Sequence, residues 1–362
     1  NNICFTTLNP DGEIVSPTGV RFIGKEKRKG LLPGILENLM NERDAVKKKM
    51  RETTEPEKIN YYNGLQNAIK ILMNAFYGVF ASSFYRFTNP KIGGSITAFA
   101  RENIKNVINM LNKDNINVIY SDTDSIFFQS PYENLKETVL FGKKISERFS
   151  EGGTILEFEK VLKAFFSHGK KKRYIGKIVW PKEDMLVRGY ETRRTDAFDL
   201  QTETLTTIFD LVLNDKIDEA IKFSRQVITD TQNGKIPVEK LTISRTVRDE
   251  SDYKMPGTQA GVQASKKLMK MGYEFVPGMK VSWVVINCRV TPQAVEPYID
   301  GREFKHEPDW SYYAERIALS VSRVTEVFGV DEKNLLTGTT QKTLFGTFEH
   351  RPSTKKKSGK RN

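Results

Sequence analysis

The sequence predicts an α+β protein of two or three lobes, in which a helical hairpin, an antiparallel β section and a mainly helical region follow one another. Three observations predict this. The chain has 362 residues, more than one compact core usually serves. Apolar residues recur at helical spacing over long stretches before residue 112 and after residue 197. Between those stretches the period switches to that of strands.

Taken in order, residues 1 to 24 read as short strands separated by the turns "NPDGE" and "SPTG". From Leu31 to Arg51, Leu32, Leu36, Leu39, Val46 and Met50 fall on one stripe at 3.6-residue spacing, which predicts a first helix. "TTEPEK" breaks the chain, and a second helix is expected over about 57–82 with the stripe Tyr61, Leu65, Ile69, Leu72, Phe76. Two helices joined by a polar turn make a helical hairpin. A third helix, about 95–112, leads into "INVIYSDTDSIFF", where two short strands flank "SDTD" and place the acids at a β-hairpin tip. Strands follow at "RYIGKIVW" and "MLVRGY", joined by "PKED". Helices are then expected at about 198–213, 215–232, 258–271 and 309–328, interrupted by a strand-like "KVSWVVI". The last stretch loses periodicity and ends in "RPSTKKKSGKRN", the composition of a disordered tail.

The formal net charge is +12, gathered in runs such as "KEKRKG", "KKKMR" and "KKKRY", and implies a polyanionic partner. Cys4 and Cys288 lie far apart and the three histidines are scattered. Sequence neighbours therefore assemble neither a disulfide framework nor a zinc site, and the chain reads as intracellular. No apolar run approaches the ~20 residues of a membrane span, and no signal peptide is recognised. The opening "NNICFTTLNP" begins at Asn1 and reads like the middle of a domain, which leads us to expect a fragment, a processed product or one part of a split protein.

Two aspartates at a hairpin tip repel unless a cation offsets them. A hard divalent ion such as Mg²⁺ binds through one or two carboxylates plus substrate phosphates, which suits Asp122 and Asp124; a polar type I turn is the other reading. In the first helix Arg43 sits on the apolar stripe, with Lys47 one turn along, and inward-facing cations need an anionic partner. In the second, Lys70, Asn74 and Tyr77 fall at i, i+4, i+7. Each alone also fits an exposed helix face. Together, two basic stripes able to grip a triphosphate and a carboxylate hairpin suggest nucleotidyl transfer.

These residues carry a family resemblance. "IYSDTDSIFF" resembles the Y-G-D-T-D-S signature of family B DNA polymerases, with Ser121 in place of the glycine. "KILMNAFYG" is similar to that family's K-x-x-x-N-S-x-Y-G motif, with Ala75 for the serine, and "LPGILENLMNERDAVKKKM" to its fingers helix. "KKRYIG" resembles the K-x-Y motif, and "RGYETRRTD" the G-x-E-x-x-R-R-D segment where palm meets thumb. The archaeal-like replicative branch is the most similar.

The resemblance implies a polymerase right hand: part of the palm at 1–24, fingers at 25–94, palm with the catalytic hairpin at 95–196, a mainly helical thumb at 197–330 and a flexible tail at 331–362. It implies a DNA-directed DNA polymerase adding nucleotides to a primer with two Mg²⁺ ions, Asp122 and Asp124 being catalytic and, with Glu159, holding metal. Arg43, Lys47, Lys70, Asn74 and Tyr77 would bind the incoming dNTP, and Lys172, Tyr174, Arg193 and Arg194 the primer–template DNA. An archaeal or viral-like chain of this kind would work in the cytoplasm or nucleoid.

The chain departs from the family in lacking the string D-x-x-S-L-Y-P-S, which carries the other essential aspartate. "NNICFTTL" resembles the residues just after that motif, so an N-terminal polymerase portion bearing the aspartate and the 3′–5′ exonuclease is an expected partner. "QKTLFGTF" resembles a sliding-clamp binding box, through Gln341, Leu344, Phe345 and Phe348, with Thr347 replacing an aromatic. The other reading is an inactive polymerase-like DNA-binding or scaffolding subunit. Reverse transcriptases also pair acids on a hairpin, but theirs are adjacent, whereas Thr123 separates these.

Overall fold

The computed structural model of the chain describes residues 1–150, 156–190 and 197–338, which form two compact units, Asn1–Phe158 and the chain from Glu159 onward. It is a mixed helix and sheet protein whose sheets are small and antiparallel.

In the first unit, β1 (Ile14–Val15) and β2 (Arg21–Phe22) pair with Ile14 opposite Phe22. The strand content expected of residues 1–24 shrinks to these two pairs, because a side chain takes over the ladder's task. The Asn2 amide donates to the carbonyls of Ile23 (2.8 Å) and Arg28 (2.7 Å) and accepts from the Gly30 N–H (2.8 Å), satisfying loop backbone that strands would otherwise pair.

Three long helices follow: α1 (Leu31–Glu52), α2 (Pro56–Ala81) and α3 (Pro90–Lys113). Pro56 and Pro90 stand in the first turn, where a missing N–H does no harm, and the Asn89 side chain caps α3 by accepting from the Lys91 and Ile92 N–H groups. α3 begins earlier than its apolar pattern suggests because Gly93 and Gly94 read as a break. A Cβ at Gly93 would lie 3.3 Å from Ala81 Cα, so glycine there lets α3 close on α2.

The helical hairpin forms as expected, but one stripe is corrected. Tyr61 and Leu72, expected inward on α2, are 65% and 51% exposed; the buried and half-buried face runs Tyr62, Gln66, Ile69, Met73, Phe76, Phe80. A polar residue in that row, Gln66, hides it from any count of apolar spacing. Phe80 packs with Ile3, Cys4, Phe22, Leu32 and Ile92, each fully buried large side chain contributing about 1.5–3 kcal/mol.

The unit ends with β3 (Val118–Asp122), β4 (Ser125–Phe128) and α4 (Leu135–Phe149). α4 was not foreseen. One of its buried positions is Gly142, where a Cβ would come 2.2 Å from the Phe158 ring, so a ring from elsewhere fills the gap an apolar side chain would signal.

In the second unit, β5 (Val161–Ser167), β6 (Tyr174–Trp180) and β7 (Asp184–Arg188) form an antiparallel sheet with β6 central. α5 (Asp199–Leu213) and α6 (Ile217–Gln232) come next, then β8 (Ile243–Thr246), α7 (Ala260–Lys270), β9 (Lys280–Asn287) and β10 (Ala294–Pro297), with β9 central in a second sheet. α8 (Trp310–Thr325) and α9 (Glu332–Thr337) close the described chain. The four expected helices lie within a few residues of their places; β8 and β10, four residues each, are too short to announce themselves.

The core joins Leu205, Ile208, Phe209, Ile228, Val284, Ile317 and Val321. Two polar ties fix α8 to β9: the Tyr313 hydroxyl accepts from the Val285 N–H (2.8 Å), and the Asp309 carboxylate accepts from the N–H groups of Tyr312 (3.0 Å) and Cys288 (2.8 Å). The flexible tail expected from residue 331 is corrected at its start. α9 is capped by Asp331, which accepts from the Asn334 N–H, and buries Leu335; six residues cannot display a period. Among the described residues, no helix is long and apolar enough to cross a membrane.

Candidate functional site

The carboxylate hairpin is a tight one. Asp122 pairs with Ser125 as the last rung, which leaves Thr123 and Asp124 as its loop. The Asp124 N–H donates back to the Asp122 carbonyl at 2.7 Å, closing a three-residue γ-type turn around Thr123. Thr123 takes φ 57°, a left-handed conformation that a β-branched residue adopts only under constraint. Such strain amounts to about 1–3 kcal/mol and gathers at functional sites. The type I reading, which needs no positive φ, does not describe this turn.

Hydroxyls stiffen the turn: Thr123 Oγ1 donates to the Asp122 carboxylate (3.1 Å) and Ser125 Oγ to the Asp122 carbonyl (3.0 Å). Asp122 is half-buried and Asp124 exposed. At the other end the pairing register shifts between Val118 and Tyr120, and Ile119 bulges out, 51% exposed. The hairpin is a two-stranded sheet, hydrogen-bonded to no third strand among the described residues. Its face is covered by α4, through Phe141 against Phe128 at 6.0 Å between ring centroids.

On the helical hairpin, Arg43 is half-buried on the inner face of α1, where its Nε and Nη2 donate to Gln66 Oε1 at 3.3 and 3.1 Å. Gln66 is itself held by the side-chain oxygens of Asn63 and Asn67. Sequence reasoning missed Gln66; a polar residue facing an inward arginine was its signal. Ion pairs on these helices and at their starts join Lys29 to Glu37, Lys48 to Glu52 and Lys58 to Glu55. Among the described residues none takes up Arg43, Lys47 or Lys70. Lys70, Asn74 and Tyr77 share one exposed face of α2.

The second unit carries the rest. Glu159 is exposed and 3.4 Å from Lys160 Nζ. Lys172 is exposed in the β5–β6 loop, at φ 65°. Tyr174, expected with Lys172 at the DNA strands, is instead buried, its ring 5.7 Å from that of Phe165, so it supports the loop rather than reaching outward. Gly189, at φ 72°, lies against this loop: a Cβ there would stand 2.2 Å from the Lys172 carbonyl oxygen. It is a second residue that sequence reasoning missed, visible only as the glycine of "RGY". Next to it, Tyr190 packs on Phe209 at 5.0 Å, and burial pushes its hydroxyl up to about 12. Arg193, Arg194, Gln341, Leu344, Phe345 and Phe348 lie outside the described residues. Among the described residues, no three His, Cys, Asp or Glu side chains gather into a metal-holding group.

Relatives give this arrangement a family. The chain is 30% identical over 352 residues to a DNA polymerase of Thermococcus gorgonarius, covering 92% of this chain and 44% of that protein. It is 30% identical over 317 residues to the DNA polymerase delta catalytic subunit of Candida albicans, covering 79% of this chain and 30% of that one. The solved family B DNA polymerase of Pyrobaculum calidifontis shares the fold, with TM-score 0.58 and 24% identity over 91% of this chain and 43% of that chain. The chain thus spans less than half the length of the curated relatives it matches. The family model described as DNA polymerase family B matches residues 1–328, and the chain belongs to that family.

Proposed function

We propose that this chain takes part in template-directed DNA synthesis, transferring a deoxynucleoside monophosphate from a dNTP to a primer 3′ hydroxyl. The observation that carries the reading is the strained tip exposing two carboxylates, in a unit whose helical hairpin holds three cations that no carboxylate among the described residues takes up. On this reading 1–24 and 95–196 are palm, 25–94 fingers and 197–330 thumb.

Two exposed or half-exposed carboxylates with no cysteine or histidine beside them suit a hard cation. Asp124 and Asp122, with Glu159, would hold two Mg²⁺ ions, which supply acidification of the primer hydroxyl and neutralisation of the departing pyrophosphate. The protein residues bind and orient. Arg43, kept at its angle by Gln66, grips triphosphate oxygens with its fork, while Lys47 and Lys70 add point charges. Asn74 and Tyr77 wall the nascent pair. Lys172 contacts the DNA strands and Tyr174 stiffens the loop that carries it, with Arg193 and Arg194 continuing that surface. No side chain serves as nucleophile, so positioning and electrostatics supply the rate.

The carboxylate still required comes from a further polypeptide segment bearing D-x-x-S-L-Y-P-S. Among the described residues β3 and β4 make a sheet of two strands, an arrangement that is marginal by itself, which supports a further segment. Residues 341–348 would tether the assembly to a sliding clamp.

Primer extension by the chain mixed with such a segment tests the proposal. Asp124→Asn should lower extension by ~10³-fold or more, the scale of removing a group aimed at developing charge, with duplex affinity kept. Wild-type rates from Asp124→Asn would overturn the catalytic role, and normal extension without the added segment would overturn the need for it. A mixture that binds DNA yet never extends a primer would instead support the scaffolding reading.

A further inference from the structure

One arginine of the second unit lacks the acceptors an arginine needs. Arg225 is half-buried on α6, and two of its three guanidinium nitrogens, Nε and Nη2, are shut off from solvent with no hydrogen-bond partner among the described residues. A buried donor left unsatisfied is costly, more so on a charged group, and native structures rarely carry one without a reason. Nε and Nη2 form one edge of the guanidinium fork, and such an edge takes two oxygens of an oxyanion side by side.

Arg225 lines an open cleft of about 430 Å³, inside the roughly 300–1,000 Å³ usual for small-molecule sites. One wall is a row of α6 residues at helical spacing, Asp218, Ile221, Lys222, Arg225 and Thr229, and Val330, in the turn before α9, completes the lining. Among the described residues no carboxylate takes up Lys222 or Arg225 in an ion pair. None of these side chains enters the chemistry proposed above.

The lining selects a class of ligand. A carboxylate has two oxygens, which the Arg225 fork alone would use; the Lys222 ammonium and the Thr229 hydroxyl offer donors for the remaining oxygens of a tetrahedral phosphoryl group. Two cations against the one acid, Asp218, suit a single phosphoryl group rather than a chain of them. Asp218 stands two helical turns before Arg225, about 10 Å along the axis, where its carboxylate can accept from sugar hydroxyls. Ile221 and Val330 supply apolar surface for the rest of the molecule.

We propose that the α6 cleft binds a nucleoside monophosphate, its phosphate on Arg225, Lys222 and Thr229, its sugar hydroxyls on Asp218 and its base against Ile221 and Val330. The site shares no residue with the dNTP site proposed above and stands whether or not that reading holds.

The test is isothermal titration of the full chain with adenosine 5′-monophosphate, inorganic phosphate or acetate, in a buffer otherwise free of phosphate and at fixed ionic strength, since salt screens such contacts. The nucleotide should saturate a site that inorganic phosphate fills about tenfold more weakly, the scale of the lost apolar and hydroxyl contacts, and that acetate does not fill. Arg225→Lys, which keeps the charge but loses the fork, should weaken the nucleotide about tenfold, and Arg225→Met about a hundredfold. Asp218→Asn should weaken the nucleotide and leave inorganic phosphate bound at least as well. Arg43→Leu, on the helical hairpin, should leave this site intact. Absence of saturation by the nucleotide overturns the proposal and leaves ordered water as the partner of Arg225. Acetate binding as tightly as the nucleotide overturns it too, as does nucleotide binding that survives Arg225→Met but is lost in Arg43→Leu, which would place the ligand at the dNTP site. Equal affinity for inorganic phosphate and nucleotide, unmoved by Asp218→Asn, overturns the assignment of a nucleoside.

Discussion

Replacing Gly189 with alanine should unseat the loop that presents Lys172. The new Cβ would lie 2.2 Å from the Lys172 carbonyl oxygen, 2.9 Å from Arg173 Cγ and 3.0 Å from the Lys172 carbonyl carbon. The oxygen belongs to backbone, so no side-chain rotation relieves the contact, and the loop must retreat by about 0.8 Å against the β5–β6 pairing. Holding alanine at φ 72° adds about 1–2 kcal/mol, and with the displacement the loss is about 3 kcal/mol. For a body of this size that lowers the unfolding midpoint by roughly 6–12 °C.

The assay is built into the chain, because Trp180, Trp283 and Trp310 all lie in the second unit and their fluorescence reports its melting. Gly169→Ala is the control: its φ of 79° imposes the same backbone penalty, yet nothing stands within 4 Å of the new methyl group. It should cost about 1–2 kcal/mol, the backbone penalty alone. Equal melting shifts for the two variants would refute the argument that Gly189 is required by close approach rather than by its dihedral angle.

Two further outcomes follow from the polar ties. Gln66→Leu removes the acceptor of Arg43 while keeping volume; it should destabilise the first unit by about 1–3 kcal/mol, read by denaturant titration, and raise the KM for dNTP in the complemented extension assay. Asp309 governs acid sensitivity. Burial would raise its carboxyl, but the Cys288 and Tyr312 N–H donors outweigh this and hold it below the usual value. Its contribution is therefore present above the unfolded value of about 4 and lost as pH falls through the native one. Asp309→Asn should flatten the decline in stability below about pH 4, measured by melting across that range.

Where one residue type sets a period, the sequence is legible: the helices of the second unit and the strand at "KVSWVVI" stand close to where their apolar spacing puts them. It becomes opaque where a face is completed by something other than an apolar side chain at the right spacing. Gln66 interrupts the inner row of α2, Gly142 leaves a gap on α4 for the Phe158 ring, and Asn2 replaces strand pairing near the start. Charge spacing brought out Arg43 and the acids of the hairpin tip, since a charge in an apolar run is conspicuous. Gln66 and Gly189 were invisible as functional residues because their part is to hold another residue in place.

The two-strand width of the β3–β4 sheet among the described residues has a practical meaning. A short apolar ribbon this narrow lends itself to widening by an extended segment, including the same ribbon of another molecule. A preparation of this polypeptide by itself should thus grow turbid on concentration, and a short extended peptide that zips onto the ribbon should keep it clear.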